Sequence, residues 1–110
     1  MTGRKVVEYL NAGFSPFAKW FTGLDAHAAA KVTVALYRLE QGNISNVKSV
    51  GKGVSEYKIE FGPGYRIYFG QEGDELIILL GGGSKKSQTQ DIQTAHMLWA
   101  EYKLIKARKK

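Results

Sequence analysis

Residues 55–69, Ser-Glu-Tyr-Lys-Ile-Glu-Phe-Gly-Pro-Gly-Tyr-Arg-Ile-Tyr-Phe, constrain the fold more than any other stretch. Tyr57, Ile59 and Phe61 alternate with Glu56, Lys58 and Glu60, the period of a strand with one apolar face. After Gly62-Pro63-Gly64 the alternation resumes, with Tyr65, Ile67 and Phe69 on one face and Arg66 and Tyr68 on the other. Proline cannot donate to a ladder and glycine admits positive φ, so the pattern predicts a β-hairpin turning at 62–64. That register sets Phe61 against Tyr65, Glu60 against Arg66, Ile59 against Ile67 and Lys58 against Tyr68. A one-residue slip through a bulge would swap the faces of one strand.

The rest of the chain supplies partners for this hairpin. Residues 5–10 (Lys-Val-Val-Glu-Tyr-Leu) predict a short strand at a sheet edge. Ser15-Pro16 then fits an N-cap with proline in the first turn, and Phe14, Phe17, Ala18 and Phe21 follow at helical spacing as far as Gly23. Asp25 caps a second predicted helix running to about Gln41, with Leu24, Ala28, Val32, Ala35, Leu36 and Leu39 as its buried stripe. His27, in its first turn, reads as a surface residue. Residues 42–53 show little periodicity and read as a loop with a basic end, Lys48 and Lys52. After a turn at 71–74, the apolar run 75–80 predicts a strand covered on both faces. It completes an antiparallel three-strand meander. Its outward neighbours Leu76, Ile78 and Leu80 are expected to pack with the apolar hairpin face. A tight glycine turn (81–83) leads to a last helix from Ser87, with Gln90 completing a capping box, to about Lys106. Ile92, Ala95, Leu98, Trp99, Tyr102 and Ile105 form its apolar stripe, and 106–110 form a basic tail. No repeat or linker divides the 110 residues, so the chain reads as one α+β domain over 1–110, with 44% hydrophobic residues to fill a core.

Composition removes several function classes. There is no cysteine, which excludes disulfides and thiolate metal sites and suits a cytoplasmic location. His27 and His96 stand alone on helices, and His96 has no partner motif; no metal site and no cofactor is expected. No apolar run approaches membrane-spanning length, and the N-terminus lacks a signal-peptide pattern. The formal net charge of +6 points toward nucleic acid, ribosomes or acidic proteins.

Two features carry chemistry. The glycine turn with Lys85 and Lys86 before a helix can bind phosphate through free N–H groups, or can be a tight turn only. The polar hairpin face carries Lys58, Arg66 and Tyr68, able to hold phosphates and stack a base. Its alternative is a solvated ion pair between Glu60 and Arg66. If the meander brings Lys85 beside the hairpin, three cations converge.

At these residues the chain resembles the phage-derived killer-protein family of toxin–antitoxin modules, HigB-like toxins of the RelE/ParE superfamily. The resemblance runs through Glu56-Tyr57-Lys58-Ile59, Gly62-Pro63-Gly64-Tyr65-Arg66-Ile67-Tyr68-Phe69, Gly82-Gly83, Lys85, Ser87-Gln88 and Asp91-Ile92. Upstream it takes in Leu36-Tyr37-Arg38-Leu39-Glu40-Gln41-Gly42-Asn43 and Val47-Lys48. It implies a RelE/ParE-like α+β toxin: short N-terminal strand, two helices, antiparallel meander, C-terminal helix. It also implies mRNA on the ribosome as substrate and a helix-turn-helix antitoxin as partner. Arg66 matches the arginine that relatives use at the scissile phosphate, and Lys58 and Lys85 match basic positions of the same surface. Glu60 stands where RelE-type toxins carry a second lysine, and Tyr102 is nearest to their C-terminal catalytic tyrosine or histidine.

Metal-independent RNA cleavage needs a proton acceptor for the 2′-OH, cations on the phosphorane and a donor for the leaving oxygen. Arg66 and Lys85 are assigned to the phosphate, and Glu60 to the base or to orienting Arg66. Lys58, Tyr68, Lys86 and Lys52 are assigned to RNA binding. The alternatives are a ParE-like toxin that inhibits DNA gyrase without nuclease activity, and a binding-only protein of the same fold.

Overall fold

The hairpin forms, but two residues out of the expected register. In the computed structural model, which describes residues 4–108, strand β3 (Val54–Ile59) ends at Ile59 and β4 (Tyr65–Glu72) begins at Tyr65. The loop therefore spans 60–64, with Phe61 N–H on the Ile59 carbonyl and Gly64 N–H on the Phe61 carbonyl. Ile59 pairs with Tyr65, Lys58 with Arg66, Tyr57 with Ile67 and Glu56 with Tyr68. Because the slip is even, each side chain keeps its predicted face. What changes is the neighbours: Arg66 stands opposite Lys58, not Glu60.

The sheet has five strands in the order β1-β5-β4-β3-β2. The N-terminal strand β1 (Lys5–Glu8) lies at one edge, as expected, and runs parallel to β5 (Leu76–Ser84). The other pairings are antiparallel, so the sheet is mixed. β2 (Val47–Ser49) lies inside the segment read as a loop and forms the opposite edge. Three residues are too few for a period-two signal to show. The glycine segment is also a correction. Gly81, Gly82 and Gly83 continue β5 as strand, so no glycine turn opens at the last helix. A bulge at Tyr68/Phe69 leaves Leu80 without an opposite residue and sets Tyr68 against Gly81 and Arg66 against Gly83.

Helices α1 (Pro16–Thr22) and α2 (Ala26–Glu40) begin where their caps predict. Ser15 Oγ accepts from Ala18 N–H at 3.0 Å and Asp25 Oδ1 from Ala28 N–H at 2.9 Å. Both helices cover one sheet face, where Phe17, Val32, Ala35 and Leu39 meet Tyr57, Ile59, Ile67, Phe69, Ile77 and Leu79. α3 (Gln88–Arg108) covers the other, where Ala95 and Trp99 meet Val54, Tyr68, Ile78 and Leu80. β5 is thus covered on both faces, but with the opposite parity to that expected: Ile77 and Leu79, not Leu76, Ile78 and Leu80, join the hairpin's apolar face. A run apolar at every position carries no alternation from which to read its faces.

Two glycines allow these layers to close. A Cβ on Gly82 would collide with the Trp20 ring of α1, and one on Gly70 with the Trp99 ring of α3. α3 is preceded by a single 3-10 turn, Lys85–Ser87, and Ser87 Oγ donates to Asp91 Oδ2 at 2.5 Å instead of forming the expected box with Gln90. Ile105 is exposed, leaving the apolar stripe shorter than predicted. Lys106 to Arg108 form the last turn of α3; the rest of the expected tail lies outside the described residues. Among the described residues no helix is long and apolar enough to cross a membrane.

Candidate functional site

Alternation along β3 and β4 directs Glu56, Lys58, Arg66 and Tyr68 to one face of the sheet, and the start of α3 closes over part of it. Glu56 is fully buried and Arg66 only 5% exposed, so this face is not the open, solvated surface that the alternation suggested. Arg66 Nε lies 3.6 Å from Glu56 Oε1, and Gln88 Nε2, from the first turn of α3, donates to the same oxygen at 2.8 Å. Lys48 Nζ of β2 lies 3.9 Å from Glu56 Oε2. Arg66 Nη1 donates to the Gly64 carbonyl at 2.7 Å, which ties the guanidinium to the hairpin loop.

The pair is incompletely satisfied. Glu56 Oε2, Arg66 Nε and the Tyr68 hydroxyl are all buried without a hydrogen-bond partner among the described residues. Native interiors rarely leave such atoms unpaired, and they concentrate where a site must act. Burial, then the negative charges of Glu56 and Asp91, push the Tyr68 phenol above its ordinary value, with Arg66 opposing. Tyr68 is therefore a neutral phenol held against a carboxylate. At 1% exposure it has no free face on which to stack a base, contrary to expectation.

Cations gather at the rim. Lys58 stands across the ladder from Arg66. Like charges directly opposite repel; Glu60 answers Lys58 with a 3.5 Å ion pair, and Glu56 answers Arg66. Glu60 itself is on the loop with 81% of its side chain exposed, so it does not orient Arg66. Lys85 is brought to the same place. A Cβ built on Gly64 would lie 3.3 Å from Arg66 Nη1 and 3.8 Å from Lys85 Cβ. Arg66, Lys58 and the stem of Lys85 are thus neighbours at the end of the hairpin. Lys86 is exposed beside Lys85, whereas Lys52 lies before the far end of β3, a strand's length from the cluster.

Other anticipated residues lie elsewhere. Tyr102 donates to Glu72 Oε1 at 2.9 Å near the far end of β4, beside Trp99 and Tyr9. His96 does have a partner: its Nε2 is 2.9 Å from the Val50 carbonyl, anchoring the loop before β3. His27 is exposed, as expected. Among the described residues no group of His, Cys, Asp and Glu side chains converges as a metal site.

The residues missed from sequence are Glu56, Gln88 and Asp91. Asp91 packs directly on Gly83, the β5 neighbour of Arg66, in space that any Cβ would fill. Glu56 carried a signal, its place on the Lys58 face; only the true register makes it the partner of Arg66.

Residues 19–104 match the model of the family described as phage-derived protein, Gp49-like. An uncharacterized protein of Haemophilus influenzae (strain ATCC 51907 / DSM 11121 / KW20 / Rd) is 40% identical over 86 residues, covering 77% of this chain and 87% of the relative.

Proposed function

The chain belongs to the phage-derived Gp49-like family, and from that premise we propose that it is the toxin of a type II toxin–antitoxin module. In this reading it is a HigB-like member of the RelE/ParE superfamily and a ribosome-dependent mRNA endoribonuclease. It acts in the cytoplasm and is neutralised by a helix-turn-helix antitoxin. The observation that carries the reading is Arg66, held between Glu56 and the Gly64 carbonyl, with Lys58 opposite and Lys85 alongside.

The chemistry assigned to this cluster is attack of a ribose 2′-oxygen on the adjacent phosphorus. The P–O5′ bond breaks, leaving a cyclic phosphate and a 5′-hydroxyl. Arg66 and Lys85 neutralise the charge that builds on the phosphorane oxygens. Guanidinium suits that role because its fork can grip two oxygens at once. Glu56 is a positioning residue that holds the guanidinium, and Lys58 aligns the RNA backbone. Glu60, exposed beside Lys58, is assigned to accept the 2′-proton, and the ribosome to supply the donor for the leaving oxygen.

One observation favours a second reading, a binding-only protein of the same fold: Arg66 is nearly enclosed and its Nη1 is already bonded to Gly64. Mapping mRNA 5′ ends in cells after brief induction separates the readings. The nuclease produces cuts at defined codon positions. Growth arrest with intact mRNA and altered DNA supercoiling would move the chain to the gyrase-inhibiting branch. Unimpaired growth with folded protein would remove the toxin reading.

A further inference from the structure

Next to the Arg66 cluster and sharing Lys58 with it, a cleft of about 520 Å³ opens between α2 and the hairpin end of β3. It lies past the first residue of β2, Val47, where the last link to the β3 edge is Lys58 N–H donating to the Asn46 carbonyl at 3.1 Å. Lys31, Arg38 and Lys58 line it against one carboxylate, Glu60, which Lys58 already pairs. Asn46 and Phe61 complete its polar wall and mouth.

Lys31 and Arg38 are exposed and lie on the same side of α2, seven residues or about 10 Å apart along its axis. Two cations spaced along one side of a helix can each meet a successive charge of an extended polyanion. Lys31 Nζ lies over the Phe61 ring, 5.3 Å from its centre, a cation–π contact that holds the lysine at the cleft. Lys58 belongs both to this cleft and to the ladder position opposite Arg66, which makes the two surfaces continuous. Of the apolar lining, Ala35, Tyr57 and Ile59 are buried, which leaves Val34 and Phe61 as the surface a peptide side chain could grip.

We propose that this cleft is a second nucleic-acid site, which holds the sugar–phosphate backbone of single-stranded RNA and delivers the strand past Lys58. The site is a binding site in its own right and stands whether or not Arg66 performs chemistry.

The test is fluorescence anisotropy of a labelled oligouridine of about twelve nucleotides with the purified full chain. The variants are Lys31→Gln/Arg38→Gln and a control, Lys19→Gln/Lys103→Gln, which removes the same charge from exposed positions outside the cleft. All four side chains are on the surface, and unchanged thermal melting confirms folding. The cleft variant should weaken RNA binding by about ten-fold or more at low salt, with the control near wild type. Two lost phosphate contacts should also flatten the log–log salt dependence by about 1.4. Oligoglutamate of equal length should bind the wild-type chain at least ten-fold more weakly than the RNA. Equal losses in both variants, no loss in either, or oligoglutamate binding as tightly as RNA would each overturn the assignment, the last by giving the cleft to an acidic protein partner. Because Arg66 is untouched, failure here leaves the cleavage reading standing, and absence of mRNA cuts leaves this one standing.

Discussion

Arg66 Nε lies 3.6 Å from Glu56 Oε1 in a region where Glu56 has no exposed surface. A buried charge pair gains little over a well-packed apolar one, but breaking it strands the remaining charge, at about 3–5 kcal/mol. Arg66→Ala should therefore destabilise the fold by about that amount, far more than the 1 kcal/mol or less of an exposed pair. Glu56→Gln/Arg66→Gln, which removes both charges, should recover most of the loss. Urea denaturation of the three proteins checks this; an Arg66→Ala midpoint equal to wild type would mean that the pair is not formed in solution.

Ile67 is fully buried against Tyr57, Phe69 and the α2 stripe. Ile67→Ala should cost about 2–5 kcal/mol through lost burial and the cavity left behind. Its chemical-denaturation midpoint should fall accordingly, and an unchanged midpoint would contradict the assigned faces of β4.

Gly82→Ala should destabilise by about 1–3 kcal/mol or more, because its methyl has no room beneath the Trp20 ring. Trp20→Leu in the same chain should restore part of the loss, measured by thermal melting. An additive double variant would mean that Trp20 does not sit on Gly82.

Three tyrosines should titrate late. Burial, followed by the hydrogen bond to and charge of Glu101, pushes Tyr9 up to about 12. Burial leads the upward shifts of Tyr68 and Tyr102 as well. The folded state holds these protons more tightly than the unfolded chain. The stabilisation is therefore fully present below about pH 10, the ordinary phenol value, and is lost as pH rises through the raised values. Alkaline difference absorbance should resolve an early and a late class of phenols, with stability falling from about pH 10 upward. A single phenol class near the ordinary value would contradict the buried placement of Tyr68 and Tyr9.

What the sequence showed was local chemistry. The caps at Ser15 and Asp25 were legible because a side chain bonding its own helix start depends on few neighbours. The faces of β3 and β4 were legible because alternation survives an even slip. The partner of Arg66 was not: the loop takes 60–64, and the two-residue shift exchanges exposed Glu60 for buried Glu56. Val47, Lys48 and Ser49 gave no strand pattern because so short an edge needs only its neighbour β3. Gly81, Gly82 and Gly83 read as a turn because their use, leaving room for Trp20 and Asp91, lies in residues distant along the chain. The covering of the polar face by Gln88 and Asp91 is likewise a tertiary fact.

In the proposed function Arg66 serves RNA cleavage as well as the fold. The most direct test is mRNA 5′-end mapping after brief induction of Glu56→Gln and of Glu56→Gln/Arg66→Gln, both confirmed as folded by circular dichroism. Glu56→Gln keeps the guanidinium but loosens its hold, so cuts should persist at the same codon positions with reduced frequency. The double variant, folded but without the guanidinium, should yield none. A folded double variant that cuts mRNA as often as Glu56→Gln would contradict the account and remove Arg66 from the site.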